Sequence, residues 1–273
     1  MGRLEQLAPQ RQEHPLGSHL ATPVGIFAAA CGLAVANIYF IGLIAPALAL
    51  LMLLQRVLPQ HHPNSTLTYS QMLRSLPLLV ARTPLLRRRA FYQGMLFAGF
   101  NLFWAGSPLM LANEFGMGQP GIALFALAGT AGALSAPLAG RLSDRGLTLP
   151  ATGWALAAAV LAFAIAIEAR FIHSLSLLIL AALILDAAVH VCQGLSLRSM
   201  QVLAPELRGR LNGLFVAFTF LGGAAGSRLA AAVYTSRGWT TVAALGALCA
   251  GAALAQFLSE FRRPNRGPPF LTY

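Results

Sequence analysis

An aspartate and a histidine stand one helical turn apart inside one of the most apolar parts of the sequence. Asp186 and His190 lie in the run Leu175–Leu197, and Gln193 follows about one turn further on. Residues three and four apart share one face of a helix, so we expect these side chains to lie together. Such a face can bind a proton, a cationic solute or both. Zinc sites use three or four protein ligands, so two residues predict no metal site.

The depth of Asp186 in its run adds to this interpretation. At 1.5 Å per residue, Asp186 lies about 18 Å into a membrane crossing of about 30 Å. Ionisable side chains at such depth are costly, and they usually face the interior of a helix bundle or a cavity. Asp186 is therefore predicted to be functional. A protonated Asp186 that is hydrogen-bonded to His190 is the structural alternative.

The composition of the whole chain is that of a membrane protein. Hydrophobic residues make up 57% of the 273 residues and charged residues only 10%. An ordinary soluble domain has about 25% charged residues. The net charge is +11 without any lysine. The arginines lie in short segments between apolar runs, which favours a membrane surface over a nucleic acid as partner. The cysteines lie in apolar runs and predict neither disulfides nor a metal site, namely Cys31, Cys192 and Cys249.

Seven apolar runs meet or approach the roughly 20 residues that a spanning helix needs. Lipid offers the backbone no hydrogen-bond partners, so each run is expected to be helical. The predicted fold class is all-α, a polytopic membrane protein with a bundle of about seven transmembrane helices. The runs are Val24–Leu54, Ala90–Ala112, Gly121–Gly140, Ala151–Ile167, Leu175–Leu197, Leu211–Tyr234 and Trp239–Leu258.

These runs divide the chain into five segments. Residues 1–22 are a polar arm, and residues 23–58 hold a first span that is too long for one untilted crossing and too short for two. Residues 59–89 are a basic cytoplasmic linker, in which Tyr69–Val80 is either a weakly amphipathic helix on the membrane surface or an ordinary connecting segment. Residues 90–259 form a six-helix bundle, and residues 260–273 form a tail.

Arginine placement predicts the orientation of the bundle. Fourteen arginines fall on one side of the predicted spans, whereas the opposite loops hold only Arg170 and Arg237. Cytoplasmic loops carry an excess of positive charge, so the fourteen are predicted to face the cytoplasm together with the C-terminus. The predicted location is the inner or plasma membrane.

Two of the arginine-bearing loops have recognisable sequences. Residues 140–146 read G-R-L-S-D-R-G and residues 205–213 read P-E-L-R-G-R-L-N-G. They resemble the G-x-L-x-D-R-x-G and P-E-x-R-G-R-x-x-G loop motifs of the major facilitator superfamily. Ala36-Asn37-Ile38-Tyr39 resembles the first helix of its drug-efflux-like branch. The motif residues are Gly140, Arg141, Asp144, Arg145, Glu206, Arg208 and Arg210.

The resemblance covers Ala90–Leu258 as the C-terminal six-helix half of a twelve-helix fold. It implies proton-coupled efflux of a small organic solute, with Asp186 and His190 carrying the proton. It also implies that the helix Ala90–Ala112 lines the central cavity, whereas interhelical hydrogen bonds and packing are the alternative role of its polar residues. The predicted cavity residues are Gln93, Asn101, Trp104 and Gln193.

The first loop motif carries a further expectation. Asp144 is expected to cap the helix that follows it, because its carboxylate can accept from exposed backbone N–H groups. Arg141 and Arg145 are expected to pair with it. The family resemblance implies that this loop is a cytoplasmic latch, whereas a solvated charge cluster that fixes topology is the alternative.

One half of the family fold cannot enclose a substrate pathway by itself. The start of the first run resembles a first helix and its end resembles a sixth, which suggests an internal deletion. We therefore expect a homodimer or a separate N-terminal half as partner, besides the lipid bilayer, protons and a small-molecule substrate. The alternative function is a non-transporting membrane protein, either a deletion relic or an interaction subunit. No protease motif is found, so the chain is predicted not to be an enzyme and to need no cofactor.

Overall fold

The computed structural model describes residues 46, 48–54, 69–130, 132, 135–203 and 207–261. Residues 1–66 and 67–273 form two compact units. In the first unit, residues 48–54 are helical and exposed. The N-terminal arm, most of the first hydrophobic run with Ala36–Tyr39, Glu206 and the tail from residue 262 lie outside the described residues.

The described part of the second unit is helical throughout, apart from short turns. Seven helices follow one another in the order α1 Tyr69–Arg82, α2 Pro84–Glu114, α3 Gln119–Thr130, α4 Ala136–Asp144, α5 Thr148–Phe171, α6 Leu175–Leu203 and α7 Arg208–Phe261. Four of the described helices are long and apolar enough to cross a membrane, namely α2, α5, most of α6 and α7. The all-α membrane fold predicted from the apolar runs is therefore confirmed.

Helix α7 consists of two legs. Gly238 interrupts it with φ 72° and ψ −176°, which is outside the helical region. A residue without a Cβ adopts positive φ at little cost, so glycine suits this reversal. The legs 208–237 and 239–261 correspond to the sixth and seventh apolar runs, which were predicted as separate spans.

The third apolar run does not form one continuous helix as predicted. It holds α3 and α4, and the described residues Gly132 and Ser135 between them lie in 3₁₀ turns. Pro137 occupies the first turn of α4. Proline lacks a backbone N–H and suits a helix start, so it favours a new helix here over the continuation of α3.

Helix α1 agrees with the amphipathic helix predicted over Tyr69–Val80. Its residues Leu79 and Val80 pack against a small buried cluster that includes Leu86 and Phe215. Helix α2 begins at Pro84, inside the segment that the sequence assigned to the linker.

Polar contacts define the two ends of the bundle. At one end, which we name the arginine-rich end, Arg88 lies 3.3 Å from Glu260 and Arg198 pairs with Asp144. At the other end, Arg170 lies 2.8 Å from Glu114. Helices α2, α5, α6 and both legs of α7 run between these ends, and so do α3 and α4 together. The charged pairs thus occupy the ends that a membrane-spanning bundle exposes to water.

Candidate functional site

Asp186 and His190 form a close pair in the middle of α6. The Nδ1 atom of His190 lies 3.3 Å from Oδ2 of Asp186 and 2.8 Å from the backbone oxygen of Asp186. A carbonyl oxygen only accepts hydrogen bonds, so Nδ1 of the neutral ring carries the hydrogen and Nε2 has the free lone pair. The Asp186 side chain is 6% exposed and that of His190 33%. The pair thus joins a buried carboxylate to a partly accessible base.

Residues from three other elements surround Asp186. A Cβ atom on Gly132 would overlap the Asp186 side chain, so the 3₁₀ turn after α3 passes directly over the carboxylate. Ser135 donates a hydrogen bond of 3.4 Å to the carbonyl oxygen of Ala187. The indole of Trp104 in α2 lies next to the Asp186 carboxylate, but its buried N–H makes no hydrogen bond within the described part of the chain. The break between α3 and α4 therefore lies against the intramembrane acid.

An aromatic wall continues from Trp104. The Trp104 ring lies 5.6 Å from Phe103, 5.7 Å from Phe125 and 6.2 Å from Phe100, measured between ring centroids. Pro108 has no N–H for the Trp104 carbonyl oxygen, and the Ser107 hydroxyl donates to that oxygen instead at 3.5 Å. This substitute bond completes the helix turn that presents the indole.

Two of the other predicted cavity residues, Asn101 and Gln93, are not brought to Asp186. Asn101 donates to the Phe97 carbonyl oxygen at 2.8 Å and accepts from Ser227 at 3.1 Å, so it faces α7. Gln93 is fully buried, and neither polar atom of its amide has a hydrogen-bond partner among the described residues. It lies about 16 Å from Trp104 along the helix axis. Gln193 is half-buried on α6.

Sequence reasoning missed Gly132, Ser135 and a buried arginine. Arg89 is 6% exposed, and its Nη1 donates to Thr152 Oγ1 at 2.7 Å. Arg87, Arg88 and Arg89 were treated alike as loop cations. Successive residues of a helix point about 100° apart. If the three arginines lie on a helix that packs against others, they cannot all face water, and this was the signal in the sequence.

The first loop motif makes a different contact from the one expected. Asp144 pairs with Arg198 of α6, and no described pair joins it to Arg141 or Arg145. Asp144 does not cap α5, because it is the last residue of α4 and the N-cap position is Leu147, without a side-chain cap bond. The two intervening residues take the carboxylate away from the first turn of α5.

The last glycine of the first motif has a structural role at the end of α4. Gly146 has φ 73°, which glycine adopts readily. Its N–H donates to the Ser143 carbonyl oxygen at 3.0 Å, and the N–H of Leu147 donates to that of Leu142 at 2.9 Å. These bonds satisfy carbonyl groups that the helix end leaves free.

The second motif is described only in part. Arg210 donates to Ser75 of α1 at 3.4 Å, while Arg208 is exposed. In the described part of the chain, no three His, Cys, Asp or Glu side chains come together.

A bundle of apolar helices with charged loops at its ends and one acid at its centre defines a multi-pass membrane protein. A comparison with protein families identifies the family to which this membrane protein belongs. The chain belongs to the Major Facilitator Superfamily, whose model matches residues 15–227 and 90–271. Membership confirms the resemblance carried by the two loops and places the chain in a family of membrane transporters.

Two curated proteins are similar to this chain. Both are 32% identical over 215 residues, which cover 77% of this chain and 53% of the relative. They are the "Uncharacterized transporter YgaY" of Escherichia coli O157:H7 and the "Putative uncharacterized transporter YgaY" of Escherichia coli strain K12. The chain thus spans about half the length of the curated relatives it matches. No solved structure matches it.

Proposed function

We propose that this protein takes part in proton-coupled export of a small organic solute, with Asp186 and His190 as the proton-carrying pair. The observation that carries the proposal is the 3.3 Å contact between a buried carboxylate and a partly exposed imidazole at mid-span. A proton arriving at Nε2 of His190 makes the ring cationic, and the cation then neutralises the carboxylate beside it. The pair can thus exist in two charge states within the hydrocarbon region.

The surroundings of the pair suggest the class of solute. Trp104 lies next to the carboxylate, and the rings of Phe100 and Phe125 pack against Trp104. Aromatic faces attract organic cations, and a nearby carboxylate strengthens that attraction. We propose an amphipathic organic cation that competes with the proton for Asp186, which is the exchange that an antiporter needs.

The break between α3 and α4 supplies a site where the backbone can respond to the pair. Gly132 touches Asp186 and Ser135 reaches the next carbonyl oxygen of α6. Interrupted helices beside a mid-membrane site occur in many secondary transporters. We propose that protonation of the pair shifts this turn.

A transport pathway in this family lies between two six-helix units. We propose that the described six-crossing bundle works with a second such unit, either in a homodimer or from another chain. The arginine-rich end would face the cytoplasm, with the protein in the inner or plasma membrane. The pair of Asp144 with Arg198 would act as a latch at that end.

The test uses purified full-length chain in proteoliposomes with an imposed pH gradient and an internal pH dye. A panel of amphipathic organic cations is added, and solute-dependent proton movement is recorded. We expect Asp186→Asn to abolish this movement, because a neutral amide cannot stabilise the cationic His190 ring that carries the proton. Glu168→Gln is the matched control, because Glu168 is an exposed acid of α5, and it should behave as wild type.

Two results would count against the proposal. Proton movement by Asp186→Asn at the wild-type rate would remove the pair from the mechanism. A folded wild-type chain without any solute-dependent proton movement, as a monomer or as an oligomer, would favour a non-transporting interaction subunit.

A further inference from the structure

An apolar groove runs along the outside of the bundle between α2 and the first leg of α7. Its volume is about 530 Å³, and the small residues Gly94, Ala98, Gly222 and Ala225 line it. The helices approach closely there, because a Cβ on Gly222 would overlap the Gly94 carbonyl oxygen. The groove extends from Ala90 to Leu102 on α2, which is about 18 Å of helix.

A smaller, polar cavity continues the groove at the arginine-rich end. Its volume is about 290 Å³, and Arg87 and Phe91 line both spaces. Arg88 and Gln256 complete its polar wall. The two spaces therefore form one surface, with cations at the water-facing end and apolar side chains along the membrane-spanning part.

Among the residues that the structure describes, the charge at the mouth of the groove is not fully balanced. Arg89 turns inward to Thr152, and Arg88 pairs with Glu260 at 3.3 Å. Arg87 is exposed, and the ion pairs found among the described residues involve Arg88, Arg170, His190 and Arg198 but not Arg87. The Arg87 guanidinium presents a planar fork of N–H donors that matches a phosphate.

We propose that this surface is a binding site for one anionic phospholipid of the leaflet at the arginine-rich end. The phosphate would lie against Arg87 and Gln256, and one acyl chain would fill the groove. The length fits, because about 18 Å of helix exceeds the roughly 15 Å thickness of one hydrocarbon leaflet. Basic pockets between membrane helices are known to select anionic headgroups.

The headgroup test compares two lipids on the full-length chain. Native mass spectrometry in detergent would measure retention of phosphatidylglycerol and of phosphatidylcholine with identical acyl chains. We expect about a fivefold preference for the anionic lipid, the amount that one arginine near a membrane surface supplies. Arg87→Gln should remove the preference, and Arg87→Lys should keep part of it. Arg237→Gln, the same charge change at the opposite end, should leave it intact.

The groove test uses two neighbouring alanines of α7. Ala225 lines the groove, whereas Ala224 is equally exposed but does not. Ala225→Phe should fill the groove and lower retention of both lipids, while Ala224→Phe should not. Circular dichroism would confirm that each variant keeps its helix content.

Several outcomes would overturn the proposal. One is equal retention of the two lipids by the wild-type chain, and another is an equal loss of preference in Arg237→Gln. A third is displacement of the lipid by glycerol phosphate together with unchanged lipid retention in Ala225→Phe. That result would indicate a site for the phosphate alone, without an acyl chain in the groove. Dissociation of a dimer by Ala225→Phe with unchanged lipid retention would assign the groove to a second copy of the chain.

Discussion

At the residue scale, identical neighbours have different physical roles. Arg87 faces outward at the groove, Arg88 pairs with Glu260, and Arg89 is buried with Thr152 as its hydrogen-bond acceptor. A buried guanidinium that loses its hydrogen-bond partner still has the cost of its removal from water. The loss of the partner therefore lowers the free energy of unfolding. Thr152 is therefore more important for stability than its small size suggests.

Replacing Thr152 by valine tests the role of this hydroxyl. The two side chains have similar shape, so the change removes the acceptor of Arg89 without leaving a cavity. We expect the free energy of unfolding to fall by about 1–3 kcal/mol. Thermal unfolding of the purified chain in detergent would measure the difference.

The control for this prediction is Thr235→Val. The Thr235 hydroxyl is exposed and donates only to carbonyl oxygens of its own helix, Ala231 and Ala232. A change within about 0.5 kcal/mol is expected there. Equal stability of the two variants would show that Arg89 does not depend on Thr152.

At the element scale, small residues set the distance between α2 and α7. Cβ atoms on Gly222 or Gly226 would overlap the carbonyl oxygens of Gly94 and Ala98. Membrane helices gain little from hydrophobic burial against one another, so close contact between small residues supplies much of their attraction. These two glycines keep the helices at that distance.

The corresponding prediction is that Gly222→Ala destabilises the bundle although alanine favours helix. The added methyl group meets backbone atoms, which cannot move aside, so α2 and α7 must separate. We expect a loss of about 1–3 kcal/mol in unfolding free energy, as for other overpacked sites. Denaturation in detergent, followed by circular dichroism, would measure it.

Gly213→Ala on the same helix is the matched control. A Cβ there meets no atom within 4 Å. The only expected effect is the higher helix propensity of alanine, which should stabilise the helix by up to about 1 kcal/mol. Destabilisation of both variants to the same degree would argue against close contact as the cause.

At the scale of the whole molecule, the ends of the bundle separate the charged residues into two groups. Asp144, Arg198, Arg88 and Glu260 lie at one end, and Arg170 and Glu114 lie at the other. Moving either group through the hydrocarbon would remove these charges from water at high cost. The described bundle must therefore cross the membrane an even number of times, so that its first and last helices have their outer ends on the same side.

Cysteine labelling tests this alternation and the predicted orientation together. The three native cysteines are replaced first, and single cysteines are then placed at Arg145, Arg208 and His173. An impermeant maleimide added to intact cells should label position 173 alone. Positions 145 and 208 should react only after permeabilisation, because the arginine-rich end is predicted to face the cytoplasm.

The labelling pattern has a clear contrary result. Reaction of positions 145 and 208 from opposite sides would contradict the crossing number. Reaction of both from outside, with position 173 protected, would keep the bundle and invert its orientation.

The fold class, most of the spans and the family resemblance could be predicted from the amino-acid sequence. Lipid leaves the backbone no alternative to helix, so apolar runs such as Ala151–Ile167 and Leu175–Leu197 translate directly into α5 and α6. The spacing of Asp186 and His190 was sufficient to predict their contact, because one helical turn separates them. The two loop motifs were sufficient to indicate the superfamily.

The residues around Asp186 and the partners of the charged side chains could be seen only once the helices were packed together. Gly132 lies in a turn after α3, Trp104 in α2 and Asp186 in α6, and their contact depends on how these elements rotate and pack. Local pattern also cannot tell that Asp144 pairs with Arg198, which is 54 residues away, or that Arg89 turns inward. Secondary structure follows from the solvent that each segment meets, whereas the site follows from packing between segments distant in the chain.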